Sequence, residues 1–217
     1  MNIHVVTPDV TPDDERLAEW AALARIVHRL HLRFPTKTTA DVYRIAHALL
    51  QRGAPAERLV IHDHVDVAWL LSVPAVQCGR RSPPAAAVRD KFPTLTIGVS
   101  VHSVQEALQA ERAGADYVLF GHVFPTASKA GRPAQGLARL REVTRSVRLP
   151  VTAIGGVTPR RLAGLAAAGA AGAAVQRGVF GARDPLQAAR AYVAQARRCQ
   201  APRSFVIAKP HEEGSSC

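Results

Sequence analysis

Short runs of β-branched and aliphatic residues alternate with alanine- and leucine-rich segments along the chain, and this alternation limits the possible folds more than any other feature. Strands and amphipathic helices that alternate at intervals of roughly 20–30 residues are typical of βα units building a parallel sheet. Eight such units in 217 residues predict an α/β protein, a single (β/α)8 or TIM barrel over residues 1–200, rather than an open doubly wound sheet. The predicted strands cover residues 3–7, 28–33, 59–61, 75–78, 95–99, 117–120, 151–154 and 172–176.

Helix-boundary signals support the same frame. Ser103 with Glu106 fits a capping box, and Asp184 followed by Pro185 fits an N-cap before a proline at the first helical position. Residues 201–217, which end in HEEGSSC, are predicted to form a partly disordered tail outside the barrel. The predicted helices include residues 39–52, 103–113, 159–168 and 184–197.

The composition excludes several classes of protein. The net charge is +11, but aromatic residues make up only 5% and the arginines are scattered, so the aromatic-studded basic face of a nucleic-acid binder is missing. Attraction of small anionic molecules is the milder use of such a charge. No apolar run reaches the ~18–20 residues that span a bilayer, and the N-terminus lacks a signal-peptide pattern. The widely spaced Cys78, Cys199 and Cys217 predict reduced thiols, so we expect a cytoplasmic protein without membrane association.

Glycines follow the last two predicted strands, at the barrel end where chemistry takes place. The seventh strand runs into Gly155-Gly156, and the eighth runs into Gln176-Arg177-Gly178. Glycine lets a ligand approach the backbone, and the loops after strands seven and eight often hold a phosphate through their N–H groups. We therefore expect phosphate binding here; glycines that merely form tight turns are the alternative.

Cationic and polar side chains follow the second and fifth strands. Arg33 and Lys37 are candidates for binding a phosphate or carboxylate, Arg33 through paired hydrogen bonds, whereas a solvated basic loop explains Lys37 equally well. Ser100 and His102 end the fifth strand, where only some of the side chains can face the pocket.

His62, Asp63 and His64 resemble a metal cluster only superficially, because no third ligand is evident nearby. We expect no metal there, and we expect Asp63 or His64 to cap the helix that begins near Val65.

His122 follows Gly121 at the end of the sixth strand, in the stretch YVLFGHVFPT, and so is expected in the mouth of the barrel. Histidine titrates near neutral pH and can both accept and return a proton. The chain has no nucleophile-elbow serine and no P-loop motif. Beside an anion anchor, His122 therefore indicates a proton shift on a bound phosphorylated molecule; a packed histidine without a catalytic role is the alternative.

Several stretches resemble the thiamin phosphate synthase superfamily and, within it, the TenI branch of thiazole tautomerases. The resemblance covers residues 3–197, essentially the whole predicted barrel. It is carried by LHLRFPTK, VDVA, IGVSVHSVQEALQAERAGADYVLFGHVFPT, AIGGVTPRRL and GVFGARDPLQAARAY.

Three departures separate this chain from the synthases that it resembles. Those proteins have glycine-proline where this chain has Gly121-His122, and a lysine where it has Pro35. They bind magnesium with one aspartate after strand three and a second after strand four; Asp63 matches the first, but Arg81 and its neighbours occupy the place of the second. A pyrophosphate substrate needs such a metal and lysine, so these departures argue against a synthase.

The resemblance then implies a cofactor-independent isomerase, a thiazole tautomerase of thiamin biosynthesis. His122 is the implied catalytic residue and moves the proton on a phosphorylated thiazole carboxylate, and no metal is implied. The family also implies a homodimer or higher homo-oligomer. The implied substrate-binding residues are Arg33, Lys37, Ser100, His102, Gly155, Gly156, Gln176, Arg177 and Gly178.

Two other functions remain open at this point. One is a thiamin phosphate synthase with altered metal use. The other is a non-catalytic regulatory module that keeps a phosphate-ligand pocket and binds without turnover.

Overall fold

Eight parallel strands close into a barrel in the computed structural model, which describes residues 1–129 and 131–199. Each strand pairs with its neighbours in sequence, and β1 pairs with β8 to close the barrel. The predicted (β/α)8 barrel is therefore confirmed, while the predicted tail at residues 201–217 lies outside the described residues. The strands are β1 (Asn2–Val6), β2 (Arg29–Leu32), β3 (Leu59–His62), β4 (Ala75–Cys78), β5 (Thr96–Val101), β6 (Tyr117–Gly121), β7 (Val151–Ile154) and β8 (Gly172–Val175).

Helices connect the strands on the outside of the barrel. Short 3-10 turns lie at Ala56–Arg58, Ala127–Lys129 and Pro159–Arg161. None of the helices in the described part of the chain is long and apolar enough to cross a membrane. The helices are α1 (Asp14–Ile26), α2 (Thr39–Gln51), α3 (Val65–Leu70), α4 (Ala85–Lys91), α5 (Val104–Arg112), α6 (Gly136–Ser146), α7 (Leu162–Ala167), α8 (Arg177–Phe180) and α9 (Pro185–Arg198).

Side-chain hydrogen bonds fix several helix starts. The Asp184 carboxylate accepts from the N–H of Gln187 at the start of α9, as predicted. At the start of α5 the predicted capping box forms only in part: the Ser103 hydroxyl accepts from the N–H of Glu106, but the Glu106 carboxylate accepts from the N–H of His102. The expected cap of α3 is different. His64 occupies the N-cap position but its side chain makes no capping bond, because its ring lies 3.1 Å from the Thr39 hydroxyl.

The main core lies between the strands and the helices, because alternate residues of each strand point outward. Ile3, Val5, Leu30 and Leu32 are fully buried there in one cluster with Trp20 of α1. The residues between them point into the barrel and include several buried polar side chains. A small apolar cluster of Val6, Leu119 and Ala174, with Ile154 packed against it, fills one side of the interior. The buried polar side chains of the strands are His4, His31, His62, Gln77 and Thr152.

Candidate functional site

The loop after β2 carries the predicted anion-binding pair and is tied to the loop after β1. The Arg33 N–H donates to the Thr7 hydroxyl over 3.0 Å, and Lys37 Nζ donates to the Thr11 hydroxyl over 3.0 Å. The Arg33 side chain is exposed at the rim. The pKa of His62 is lowered first by burial and then by the charge of Arg33. The two cations thus stand at the carboxyl end of the barrel on a fixed loop.

Asp63 follows β3 and has both carboxylate oxygens in use. Oδ1 accepts a 2.6 Å hydrogen bond from the Ser82 hydroxyl, and Oδ2 lies 3.3 Å from Nη2 of Arg81. Arg81 also donates from Nη1 to the carbonyl oxygen of Pro35 over 2.7 Å. One guanidinium in the β4–α4 loop therefore joins the loops that follow β2 and β3.

The donor set does not fit the magnesium site that the synthase resemblance implies. Magnesium binds oxygen ligands in near-octahedral geometry and usually takes one or two carboxylates besides substrate phosphates. Here a guanidinium stands beside Asp63 where that resemblance implies a second carboxylate. Asp9 Oδ1 is buried without a hydrogen-bond partner among the described residues. Residues 1–129 and 131–199 nevertheless contain no group of three or more histidine, cysteine, aspartate or glutamate side chains that could hold a metal ion.

His102 and His122 each contact a backbone carbonyl at or after the end of β6. His102 Nδ1 lies 2.7 Å from the carbonyl oxygen of Gly121, so it donates and leaves Nε2 as the acceptor of the neutral ring. His122 is half-buried, and its Nε2 lies 3.3 Å from the carbonyl oxygen of Arg132. Ser100 lies within β5, and its hydroxyl accepts from Gln77 Nε2 over 3.1 Å.

Gly155 and Gly156 adopt the left-handed conformation, with φ of 98° and 63°. A Cβ on Gly155 would come within 2.3 Å of the Cβ of His122, and one on Gly156 within 2.5 Å of the Pro125 carbonyl oxygen. Both glycines are therefore required by the close approach of the β6–α6 loop. Among residues 1–129 and 131–199, the N–H groups of this pair have no acceptor, which leaves them available to a ligand.

The residues after β8 lie next to this glycine pair, because Ile154 pairs with Ala174 in the sheet. Gln176 donates from Nε2 to the Thr7 carbonyl oxygen over 2.9 Å, while Arg177 is exposed at the first turn of α8. Packing explains the glycine at position 178, because a Cβ on Gly178 would lie 2.1 Å from the Tyr192 hydroxyl.

A row of three buried histidines crosses the barrel interior below the mouth, and it was not predicted. His4 Nδ1 lies 2.9 Å from His31 Nε2, and His31 Nδ1 lies 2.9 Å from His62 Nε2. Burial lowers the pKa of all three rings, and the pKa of His62 falls to about 3. The sequence does show a histidine on each of three successive strands. Predicting that the three rings meet would also require knowing which face of each strand points into the barrel.

Arg81 is a further residue whose place in the site the sequence does not predict. In the sequence it is only a departure from an expected aspartate, whereas the structure shows its guanidinium bound to Asp63 and Pro35. Its proximity to these residues depends on how the barrel closes, which the local sequence does not specify.

The fold places the chain among (β/α)8 barrels, and comparison with known proteins narrows that class. A family model described as thiamine monophosphate synthase (TMP-TENI) matches residues 3–179. The chain therefore belongs to this family.

Relatives and a solved structure agree with the family. The chain is 40% identical over 176 residues to the thiamine-phosphate synthase of Chlorobium luteolum, covering 80% of this chain and 83% of that protein. It is 35% identical over 190 residues to that of Pyrococcus furiosus, covering 87% and 91% of the two chains. The structure of thiamine phosphate pyrophosphorylase from Pyrococcus furiosus superposes with a TM-score of 0.78 at 30% identity, over 91% of this chain and 96% of that one.

The predicted tautomerase is wrong in the light of these relatives, and so is its class as an isomerase. Curated relatives at 35–41% identity are named thiamine-phosphate synthase, which makes the family activity that of a transferase. The prediction depended on local departures at His122, Pro35 and Arg81, whereas the similarity to synthases extends over most of the barrel.

Proposed function

We propose that the protein is a thiamine-phosphate synthase, which joins a phosphorylated thiazole to a pyrimidine pyrophosphate and releases pyrophosphate. The observation that carries this proposal is the 40% identity to a curated synthase over 80% of the chain. The geometry is in keeping with it, because the mouth has two separate sets of groups suited to two anionic substrates.

The glycine half of the mouth suits the phosphate of the thiazole. The N–H groups of Gly155 and Gly156 have no acceptor among residues 1–129 and 131–199, and the strand pairing of Ile154 with Ala174 brings this loop next to the one in which Arg177 and Gly178 begin α8. Backbone N–H groups bind phosphate oxygens without the conformational cost of ordering a long side chain. Gln176 stabilises this half by bonding to the loop after β1.

The cationic half of the mouth suits the pyrophosphate. Arg33 and Lys37 lie on the β2–α2 loop, and in the closed barrel only β1 separates β2 from β8. In the reaction, the bond between the pyrimidine methylene carbon and the pyrophosphate oxygen breaks, and its electrons leave with the pyrophosphate. The thiazole nitrogen then forms the new bond to that carbon. Fixed positive charges at the departing oxygen favour this step.

Ser100, His102 and His122 line the mouth between the two halves in this proposal. The bond exchange itself requires no proton transfer from a side chain, so His122 has a contact role. Its position beside Gly155 suits packing against the thiazole ring. His102 holds the loop after β6 in place through the Gly121 carbonyl.

The test is formation of thiamine phosphate from the two substrates, followed by mass spectrometry, with and without magnesium. Arg33→Met is expected to raise the KM for the pyrimidine pyrophosphate and leave the KM for the thiazole phosphate unchanged. Gly156→Ala is expected to do the reverse.

Absence of product under every condition would refute the synthase activity. If the protein then binds thiazole phosphate tightly, a non-catalytic ligand-binding module is the function that remains. The saturated carboxylate of Asp63 is the observation that favours this second candidate.

A further inference from the structure

We propose that Arg81 takes the place of a divalent metal in this chain, so that guanidinium groups bind the pyrophosphate and the transfer reaction does not depend on magnesium. This inference rests on the proposed synthase activity and concerns the cationic half of the same mouth.

Asp63 is poorly suited to hold a metal. Its side chain is only 18% exposed, and Ser82 and Arg81 bind one oxygen each. The Ser82 hydroxyl is fixed in turn, because it accepts a 2.8 Å hydrogen bond from the N–H of Gly79. A divalent cation at Asp63 would have to displace a hydroxyl donor and approach a guanidinium of like charge.

Arg81 is held in the position that an anion-binding group needs. Its bond to the Pro35 carbonyl draws the guanidinium from the β4–α4 loop towards the loop that carries Arg33 and Lys37. Its side chain nevertheless remains 54% exposed. Arginine has five N–H donors in a planar fork, and Asp63 and Pro35 use only two of its nitrogen atoms. The remaining donors can bind phosphate oxygens in pairs.

The charges also balance without a metal. The three side chains assigned here to the pyrophosphate, Arg33, Lys37 and Arg81, carry three positive charges, and Asp63, in contact with Arg81, offsets one of them. The remaining charge of two equals that of one magnesium ion.

The first experiment measures synthase turnover by the full chain in EDTA and in magnesium. Equal turnover in the two conditions is expected. Turnover that disappears in EDTA and returns with magnesium would overturn this inference and leave the synthase proposal intact.

The second experiment locates the effect on Arg81. Arg81→Met keeps the length of the side chain and removes its charge, and it is expected to raise the KM for the pyrimidine pyrophosphate by at least about tenfold. The KM for the thiazole phosphate reports whether the rest of the mouth is intact and is expected to stay constant. Arg80→Met removes the same charge from the exposed neighbouring residue and is the matched control, with no change in either KM. Equal effects of the two variants would overturn the role of Arg81.

Binding of inorganic pyrophosphate, measured by calorimetry, keeps the inference testable if no turnover is found. Binding in EDTA that Arg81→Met weakens and Arg80→Met does not is the expected result. Binding that requires magnesium in the unmodified protein would refute the inference whatever the reaction.

Discussion

Lowering the pH from 7 to 5 is expected to destabilise the barrel steeply, because His4, His31 and His62 are buried in a single hydrogen-bonded row. Desolvation is the main cause of the lowered pKa in each ring. The charge of a nearby arginine adds to it, and so does the charge that a neighbouring histidine would carry if it were protonated. The pKa of His4 is lowered further by His31, Arg29 and His28. The pKa of His31 is lowered further by His62 and Arg29. The pKa of His62 is lowered further by Arg33.

The sign and size of the effect follow from proton linkage. An unfolded histidine titrates near pH 6.5, whereas the folded rings stay neutral well below that, down to about pH 3 for His62. Between these values the unfolded chain binds more protons, so the free energy of unfolding falls as the pH falls. From pH 7 to pH 5 each ring contributes a loss of about 2 kcal/mol, or about 6 kcal/mol for the row. Since domains are stable by about 5–15 kcal/mol, this loss removes a large share of the stability, and all of it at the lower end of that range.

Urea denaturation followed by tryptophan fluorescence between pH 8 and pH 5 measures this dependence. His31→Leu is expected to be less stable at pH 7, because His4 and His62 lose their shared partner, and its pH dependence should be shallower by about one third. His47→Gln is the matched control, since His47 is exposed on α2, and it should leave the pH dependence unchanged. A loss below about 1 kcal/mol between pH 7 and pH 5 in the unmodified protein would refute the neutral row.

Three further predictions concern single side chains. Gly156→Ala should lower the free energy of unfolding by about 1–3 kcal/mol, because the added Cβ would meet the Pro125 carbonyl oxygen. Gly136 has a similar φ of 75° but open space around it, so Gly136→Ala should cost less in the same urea titration. Equal costs for the two variants would contradict the close approach at Gly156. Tyr192→Phe removes a buried 3.0 Å hydrogen bond to Val157 and should cost about 1 kcal/mol by denaturation, and no loss would mean that the bond contributes nothing. Burial, and then the charge of Asp63, raise the pKa of Cys78 to about 11. Alkylation of Cys78 at pH 8, followed by peptide mapping, should therefore be slow in the folded protein and fast in urea, and equal rates would contradict its burial.

The order of strands and helices was readable from the sequence because its causes are local. β-branched runs favour extended backbone, and a residue such as Asp184 caps the helix that begins directly after it. The glycine pair after β7 was likewise visible as a backbone feature. The structure then gave the pair a reason that the sequence did not contain, namely contact with the loop after β6.

The function prediction failed where it relied on single positions. The place of His122 after a strand predicts only a possible proton shift, and the tautomerase activity is implied by the TenI resemblance together with departures from the synthases at a few positions. Family membership shows in similarity over most of the barrel, and the relatives that share it are named synthases. Replacement of one residue at the mouth changes one contact and leaves the class of enzyme undetermined.

The sequence by itself determined the barrel, several of its helix starts, such as the one capped by Asp184, and the strand ends that carry candidate groups. The tertiary structure alone decided which of those groups meet. His4, His31 and His62 are separated by 27 and 31 residues along the chain, and Arg81 is 46 residues from Pro35. These contacts form only because barrel closure brings successive strands side by side and their loops to one rim, and no local pattern encodes a distance across that rim.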